Sequence, residues 1–226
     1  KTFRHEVFPE YKAQREETPE DIKLSVPIIK ELLTAFNIPI FQCDGFEADD
    51  VIGTLATKAG AIGIETYMLT PDKDYGQLVT ENVFIYRPRH GGGYDIIGTG
   101  QIEEKYGIKS PAQVIDLLAL MGDKADNFPG CPGVGEKTAV KLINDFGSVE
   151  ELISRSAEVK GKLREKIEAA ADDIRMSKFL ATIRTDVPIE LNLDSLRLVE
   201  PDKEKLSSLF AELEFKTLAD KFLNKG

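Results

Sequence analysis

The sequence has no tryptophan and only two cysteines, two histidines and three methionines among its 226 residues. Cys43 and Cys131 cannot build a disulfide framework, and they fall short of the four paired ligands that a thiolate zinc site requires. His5 has no second histidine at metal-ligand spacing and reads as structural. No run approaches the roughly 18 consecutive apolar residues of a membrane span, and no basic-then-apolar leader opens the chain. A cytoplasmic protein without membrane contact is the expectation. Positive charge is also short: 29 Lys and Arg stand against 39 Asp and Glu, for a net charge of −10. That excludes a surface that holds nucleic acid by bulk positive potential, so any such contact must be local.

What is present is the composition of a folded soluble protein, 42% apolar and 30% charged, long enough for one large domain or two small ones. Thr18-Pro19-Glu20-Asp21 reads as a helix start, followed by apolar residues to Phe36, with Pro27 expected to kink or divide the helix. Strands are expected at 38–42, 65–69 and 83–86, alternating with helices at about 47–58 and 75–79. This is the order of a parallel sheet with helical crossovers. Gly91-Gly92-Gly93 marks a turn. After Ser110-Pro111 the apolar residues recur at helical spacing, including one long helix over 162–183. The expected architecture is an α/β domain over 1–109 and a mainly helical domain over 110–226.

Three acidic clusters lie at segment boundaries: Glu47, Asp49 and Asp50; Asp72 and Asp74; Asp123 and Asp126. Ligands of open α/β sheets bind beyond the carboxyl ends of the strands, which would bring the first two clusters together. Seven carboxylates in one place repel and resist ionisation unless cations neutralise them. With oxygen ligands only, the set suits two hard divalent cations, Mg²⁺ or Mn²⁺. Such a pair, about 3.5–4 Å apart, is the usual apparatus of phosphodiester hydrolysis.

A glycine-rich segment, Gly130-Cys131-Pro132-Gly133-Val134-Gly135-Glu136-Lys137-Thr138, opens a helix. Its amides and helix N-terminus suit a phosphate of a nucleic-acid backbone. Glu136 stands where a nucleotide-triphosphate loop needs lysine, and Thr138 where a dinucleotide fingerprint needs its third glycine, which weakens a nucleotide-binding switch. Near the N-terminus, Lys1, Arg4, Lys12 and Arg15 interleave with Phe3, Phe8 and Tyr11, a pattern suited to single-stranded nucleic acid.

Read together, the segments Phe3-Arg4-His5-Glu6, Tyr11-Lys12-Ala13-Gln14-Arg15, Gly45 to Asp50, Thr70 to Asp74, Gly122 to Asn127 and Gly133 to Ala139 resemble, in order and spacing, the 5′-nuclease domain of bacterial DNA polymerase I. The likeness extends to Leu213-Glu214-Phe215. It implies a PIN-like, doubly wound parallel sheet followed by a helical domain with a helix-hairpin-helix-like motif, related to flap endonucleases. It also implies hydrolysis of DNA at 5′ flaps and nicks, RNA-primed ends included, by a monomer linked covalently to a polymerase. The seven acids would hold two metals. Lys12 and Arg15 would engage the scissile phosphate from a helical arch, with Arg4, Tyr11, Gly133, Gly135, Lys137 and Thr138 at the DNA. Family members carry an upstream strand, helix and strand with two further aspartates, so the chain is expected to be a fragment. The alternative reading is a catalytically incomplete DNA-binding piece.

Overall fold

The computed structural model describes residues 1–223. In chain order, the first part comprises α1 (Phe3–Val7), α2 (Glu20–Ala35), α3 (Ala48–Ala61), β1 (Thr66–Leu69), β2 (Val83–Pro88), β3 (Tyr94–Ile97) and α4 (Thr99–Tyr106). Then follow α5 (Val114–Met121), α6 (Glu136–Phe146), α7 (Val149–Ser154), α8 (Lys162–Ala169), α9 (Ala171–Ala181), α10 (Lys203–Glu212) and α11 (Lys216–Phe222). Among the described residues no helix is long and apolar enough to cross a membrane.

Two compact units emerge, one of residues 1–15 with 43–190, the other of 16–42 with 191–226. Within the first unit, residues on both sides of Lys109 share one apolar core: Ile85, Ile97 and Ile102 lie in the same cluster as Val114, Leu117 and Leu118. In the first unit β1 and β2 pair in parallel, Thr66 opposite Val83, while β2 and β3 form an antiparallel hairpin, Ile85 opposite Ile97. The hairpin turns through Gly91, Gly92 and Gly93, all at positive φ, which side chains would resist. β3 was not expected from the sequence.

Met68, Val83, Ile85 and Ile97 are buried on one side of the sheet, and α3 packs against β1 and β2. The helical remainder closes around α5, which lies against α6 and α9 and is buried from Leu117 to Leu120. The expected long helix over 162–183 is instead α8 and α9, broken at Ala170 (φ −97°, ψ 11°). The expected strand at 38–42 forms no ladder. Pro39 there has no N–H to offer one.

In the second unit Ala35 of α2 is buried with Leu206, Leu209 and Phe210 of α10, and Phe36 packs edge-on against Phe222 of α11 with ring centroids 5.1 Å apart. Pro27 does not divide α2, which runs unbroken for 16 residues. The loss of one hydrogen bond is too little to end a helix of that length.

The connection from α5 to α6 depends on two glycines in contact. Gly122 and Gly130 both have positive φ, and a Cβ on Gly130 would lie 2.3 Å from the Gly122 nitrogen and 2.6 Å from the Met121 carbonyl carbon. Backbone cannot yield at such distances as a flexible side chain can. Gly130→Ala should therefore lose at least about 3 kcal/mol of stability, combining left-handed strain with steric overlap. Urea unfolding checks this, and a loss under about 1 kcal/mol would show that the two turns can separate.

Candidate metal centre

Four chain segments, three of them acidic, meet at an open cleft of about 670 Å³. Asp72 and Asp74 follow the carboxyl end of β1, as expected for ligands of an α/β sheet. The Asp72 carboxylate accepts from the Asp74 N–H at 2.9 Å and so shapes the turn that begins a short 3₁₀ segment, Lys73–Leu78. Glu47 and Asp49 stand at the start of α3. Asp123 and Asp126 lie in the turn after α5, where Asp123 Oδ1 accepts from the N–H groups of Ala125 (2.7 Å) and Asp126 (3.3 Å). All six acids line the cleft, together with Lys12, Arg15 and Lys73.

The seventh expected metal ligand, Asp50, does not. It is wholly buried, and its two oxygens accept four hydrogen bonds: from Arg4 Nη1 (2.7 Å) and Nη2 (2.8 Å), from the Glu47 N–H (3.0 Å) and from the Arg184 N–H (2.9 Å). A carboxylate offers about four lone-pair positions, so none is left for an ion. Its pKa is lowered: burial opposes ionisation, but the Arg4 bonds and charge and the backbone donors outweigh it.

Arg4, expected at DNA, is 2% exposed and committed to Asp50. Tyr11, also expected at DNA, is 3% exposed, and its hydroxyl donates toward Glu47 (3.2 Å) and Asp126 (3.3 Å). Both face the protein interior, because a guanidinium or phenol beside clustered carboxylates is held by them rather than released to solvent.

Lys12 and Arg15 do reach the cleft. Lys12 Nζ lies 2.9 Å from both Glu47 oxygens and 3.7 Å from Asp126, from a backbone with φ +57°. The half-exposed Arg15 holds Asp126 Oδ1 at 2.5 Å. Two groups of this site were missed in the sequence. Lys73, between two site acids, reaches Asp123 Oδ2 at 3.3 Å, and the Tyr75 hydroxyl donates to Asp49 Oδ1 at 2.8 Å. Lys73 could have been found from its neighbours, whereas nothing in the local pattern aims Tyr75 at Asp49.

Six carboxylates against three cations leave three negative charges unmatched when all are ionised. The strain shows at Asp74, whose Oδ1 is buried without a hydrogen-bond partner. Burial first, then the charge of Asp72 and more weakly those of Asp123 and Asp126, push its pKa up to about 7 despite Lys73. Asp49 is also raised, by burial, against the Tyr75 bond. Among the described residues no three His, Cys, Asp or Glu side chains converge closely enough to chelate an ion with the side chains in these positions. Lys12, Arg15 and Lys73 stand between the carboxylates. The fit to hard cations rests on donor chemistry: oxygen ligands only, an orphaned buried oxygen and surplus negative charge.

The glycine segment lies elsewhere on the same unit. Gly133 has φ +78°, Gly135 caps α6 at φ −98°, and both are exposed, as is Lys137; Thr138 is half-buried. A Cβ on Gly135 would meet nothing within 4 Å, so the fold itself does not require glycine there.

Comparison with known proteins agrees with this architecture. Residues 1–107 match the family described as 5′-3′ exonuclease, N-terminal resolvase-like domain, and residues 109–204 match 5′-3′ exonuclease, C-terminal SAM fold. DNA polymerase I of Bacillus subtilis is 44% identical over 222 residues, and the thermostable DNA polymerase I of Thermus aquaticus 42% over 221. Those matches take in 97% and 98% of this chain, while the chain spans about a quarter of each relative (25% and 26%). Among solved structures, the zinc-bound 5′-exonuclease of phage T5 superposes with TM-score 0.67 at 24% identity, covering 95% of this chain and 80% of that one. The catalytic core of Rad2 in complex with DNA superposes with TM-score 0.64 at 18% identity, covering 97% and 74%. The chain belongs to the 5′-3′ exonuclease family, with its resolvase-like and SAM-like halves in order.

The raised Asp74 pKa gives a stability signature. The folded chain binds a proton that the unfolded chain has already lost between about pH 4 and 7, so metal-free stability falls as pH rises through that window. Asp74→Asn should remove this slope and stabilise the metal-free protein at pH 8 by about 2–4 kcal/mol, at about 1.4 kcal/mol per pKa unit with an allowance for solvent. Thermal melts at pH 5 and 8 in chelator check it, and an unchanged slope would mean that Asp74 is not strained.

Proposed function

We propose that this chain is a metal-dependent, structure-specific 5′ nuclease that hydrolyses DNA phosphodiester bonds at 5′ flaps and nicks, RNA-primed ends included, in replication and repair. The observation that carries this reading is the cleft itself: six acids from three distant segments around an orphaned oxygen, with lysine and arginine at the same opening. Glu47, Asp49, Asp72, Asp74, Asp123 and Asp126 would hold two divalent cations, Mg²⁺ or Mn²⁺. Bound there, such ions supply a nucleophilic water at neutral pH and stabilise the leaving oxygen. The zinc-bound phage exonuclease and the DNA-bound Rad2 core support both partners by analogy of fold.

Lys12 and Arg15 act on the substrate side. An ammonium between Glu47 and Asp126 can turn to the non-bridging oxygens of a phosphate as charge builds there. Gly133, Gly135, Lys137 and Thr138 bind duplex backbone through the loop amides, the side chains of Lys137 and Thr138 and the N-terminus of α6, reading no sequence; the Thr138 N–H itself is donated to the Gly135 carbonyl at 3.0 Å. The relatives' name and length support a covalently linked polymerase, and the two family matches support a nuclease part over 1–109 followed by a helical DNA-binding part over 110–226; we take the nuclease to be a cytoplasmic monomer.

Cleavage of a 5′-flap substrate should require Mg²⁺ or Mn²⁺ and stop in chelator, and Lys12→Ala should slow the single-turnover rate by about 100-fold or more, equivalent to roughly 2.7–4 kcal/mol. Cleavage that persists in chelator would overturn the reading. A Lys12→Ala protein that loses only DNA affinity would make Lys12 a tether.

The loop has its own test in Gly135→Asp. Aspartate is a favoured N-cap, so the melting temperature should hold or rise. Its charge would repel phosphate, and duplex affinity should fall at least about tenfold. Unchanged affinity would take the loop out of the DNA interface.

A further inference from the structure

We infer that the Arg4–Asp50 pair is a positioning unit for the metal centre: it locks the start of α3, with Glu47 and Asp49, to the end of α9, and touches neither metal nor DNA itself. This rests on the metal-dependent reading above.

The pair is fully satisfied inside the protein. Besides its two bonds to Asp50, Arg4 donates from Nε to the Leu180 carbonyl at 3.0 Å and from Nη2 to the Thr182 carbonyl at 2.7 Å. Both carbonyls belong to the last turn and cap of α9, where helix geometry leaves acceptors unpaired and a cation is favoured. On its other side Asp50 receives the Glu47 N–H, so one carboxylate fixes the backbone from which Glu47 springs. Arg4 Nη1 also lies 3.6 Å from Glu47 Oε2. Asp50 thus points inward while Glu47 and Asp49, its close neighbours in sequence, line the cleft.

The same helix reaches the glycine segment, because Ser177 of α9 accepts from the Gly130 N–H at 2.9 Å. One rigid element therefore bears on both the carboxylate cleft and the turn that leads into α6. Groups that orient metal-binding side chains without touching the ion commonly change metal affinity 10–100-fold when altered. The planar fork of arginine is what makes four simultaneous bonds possible, and lysine cannot reproduce it.

Arg4→Lys tests the assignment, with Mn²⁺ as the probe. Free Mn²⁺ measured by electron paramagnetic resonance, without DNA, should show affinity weakened 10–100-fold. The affinity for a 5′-flap substrate in chelator should stay within twofold of wild type, and kcat should fall with KM unchanged. If Arg4→Lys does not fold, the charge-free pair of Arg4→Gln with Asp50→Asn keeps hydrogen-bonding side chains at both places and carries the same comparison. Weakened DNA affinity with unchanged Mn²⁺ affinity would make Arg4 a DNA contact and overturn the proposal. Tightened Mn²⁺ binding would also overturn it, by showing Asp50 to be a ligand that Arg4 withholds. If the wild-type protein binds no Mn²⁺, the metal-centre reading falls and the proposal with it. Wild-type binding that Arg4→Lys leaves unchanged defeats the proposal alone.

Discussion

Repulsion among six carboxylates in one cleft is the constraint to which the first unit answers. Each neighbour of the cleft relieves part of it: Lys12 on Glu47, Arg15 on Asp126, Lys73 on Asp123, and the Tyr11 and Tyr75 hydroxyls on the acids behind them. The relief is incomplete at Asp74, whose buried oxygen has no donor. Proteins keep such strain where a ligand resolves it, and the surrounding core must be stable enough to hold it. Here that core is the apolar cluster running from the sheet through α5 and α9.

Much of this was legible beforehand because it depends on local chemistry. The acids at segment boundaries, the strands near 66–69 and 83–86 and the helical second half all follow from periodicity and capping. What could not be read is direction and distance. Asp49 and Asp50 are adjacent acids of equal promise, yet one lines the cleft and the other fills an internal pair, a choice made by Arg4 lying 46 residues away. Tyr11 and Arg4 look like nucleic-acid contacts beside lysine and arginine, but burial turns them inward. The second unit joins 16–42 to 191–226, and no local pattern announces that Ala35 will meet Leu206 and Phe210.

The glycine segment shows how the structure separates reasons that the sequence merges. Gly130 is required by a neighbouring backbone and Gly133 by its positive φ alone, since the Lys166 ammonium that a Cβ there would approach ends a flexible side chain and can move aside. Gly135 answers to neither demand. A residue type that the fold does not need is a better pointer to an external ligand than any number of glycines that it does need.

Lys12 carries a consequence of a different kind. Its left-handed backbone costs a non-glycine residue about 1–2 kcal/mol, while its charge is what Glu47 and Asp126 face. Selection for stability alone would favour glycine there, and selection for charge alone would favour a relaxed backbone. The position is a compromise between folding and chemistry written into one residue, with room for very few of the twenty amino acids. Valine, isoleucine and threonine are barred by shape, and the acids by sign.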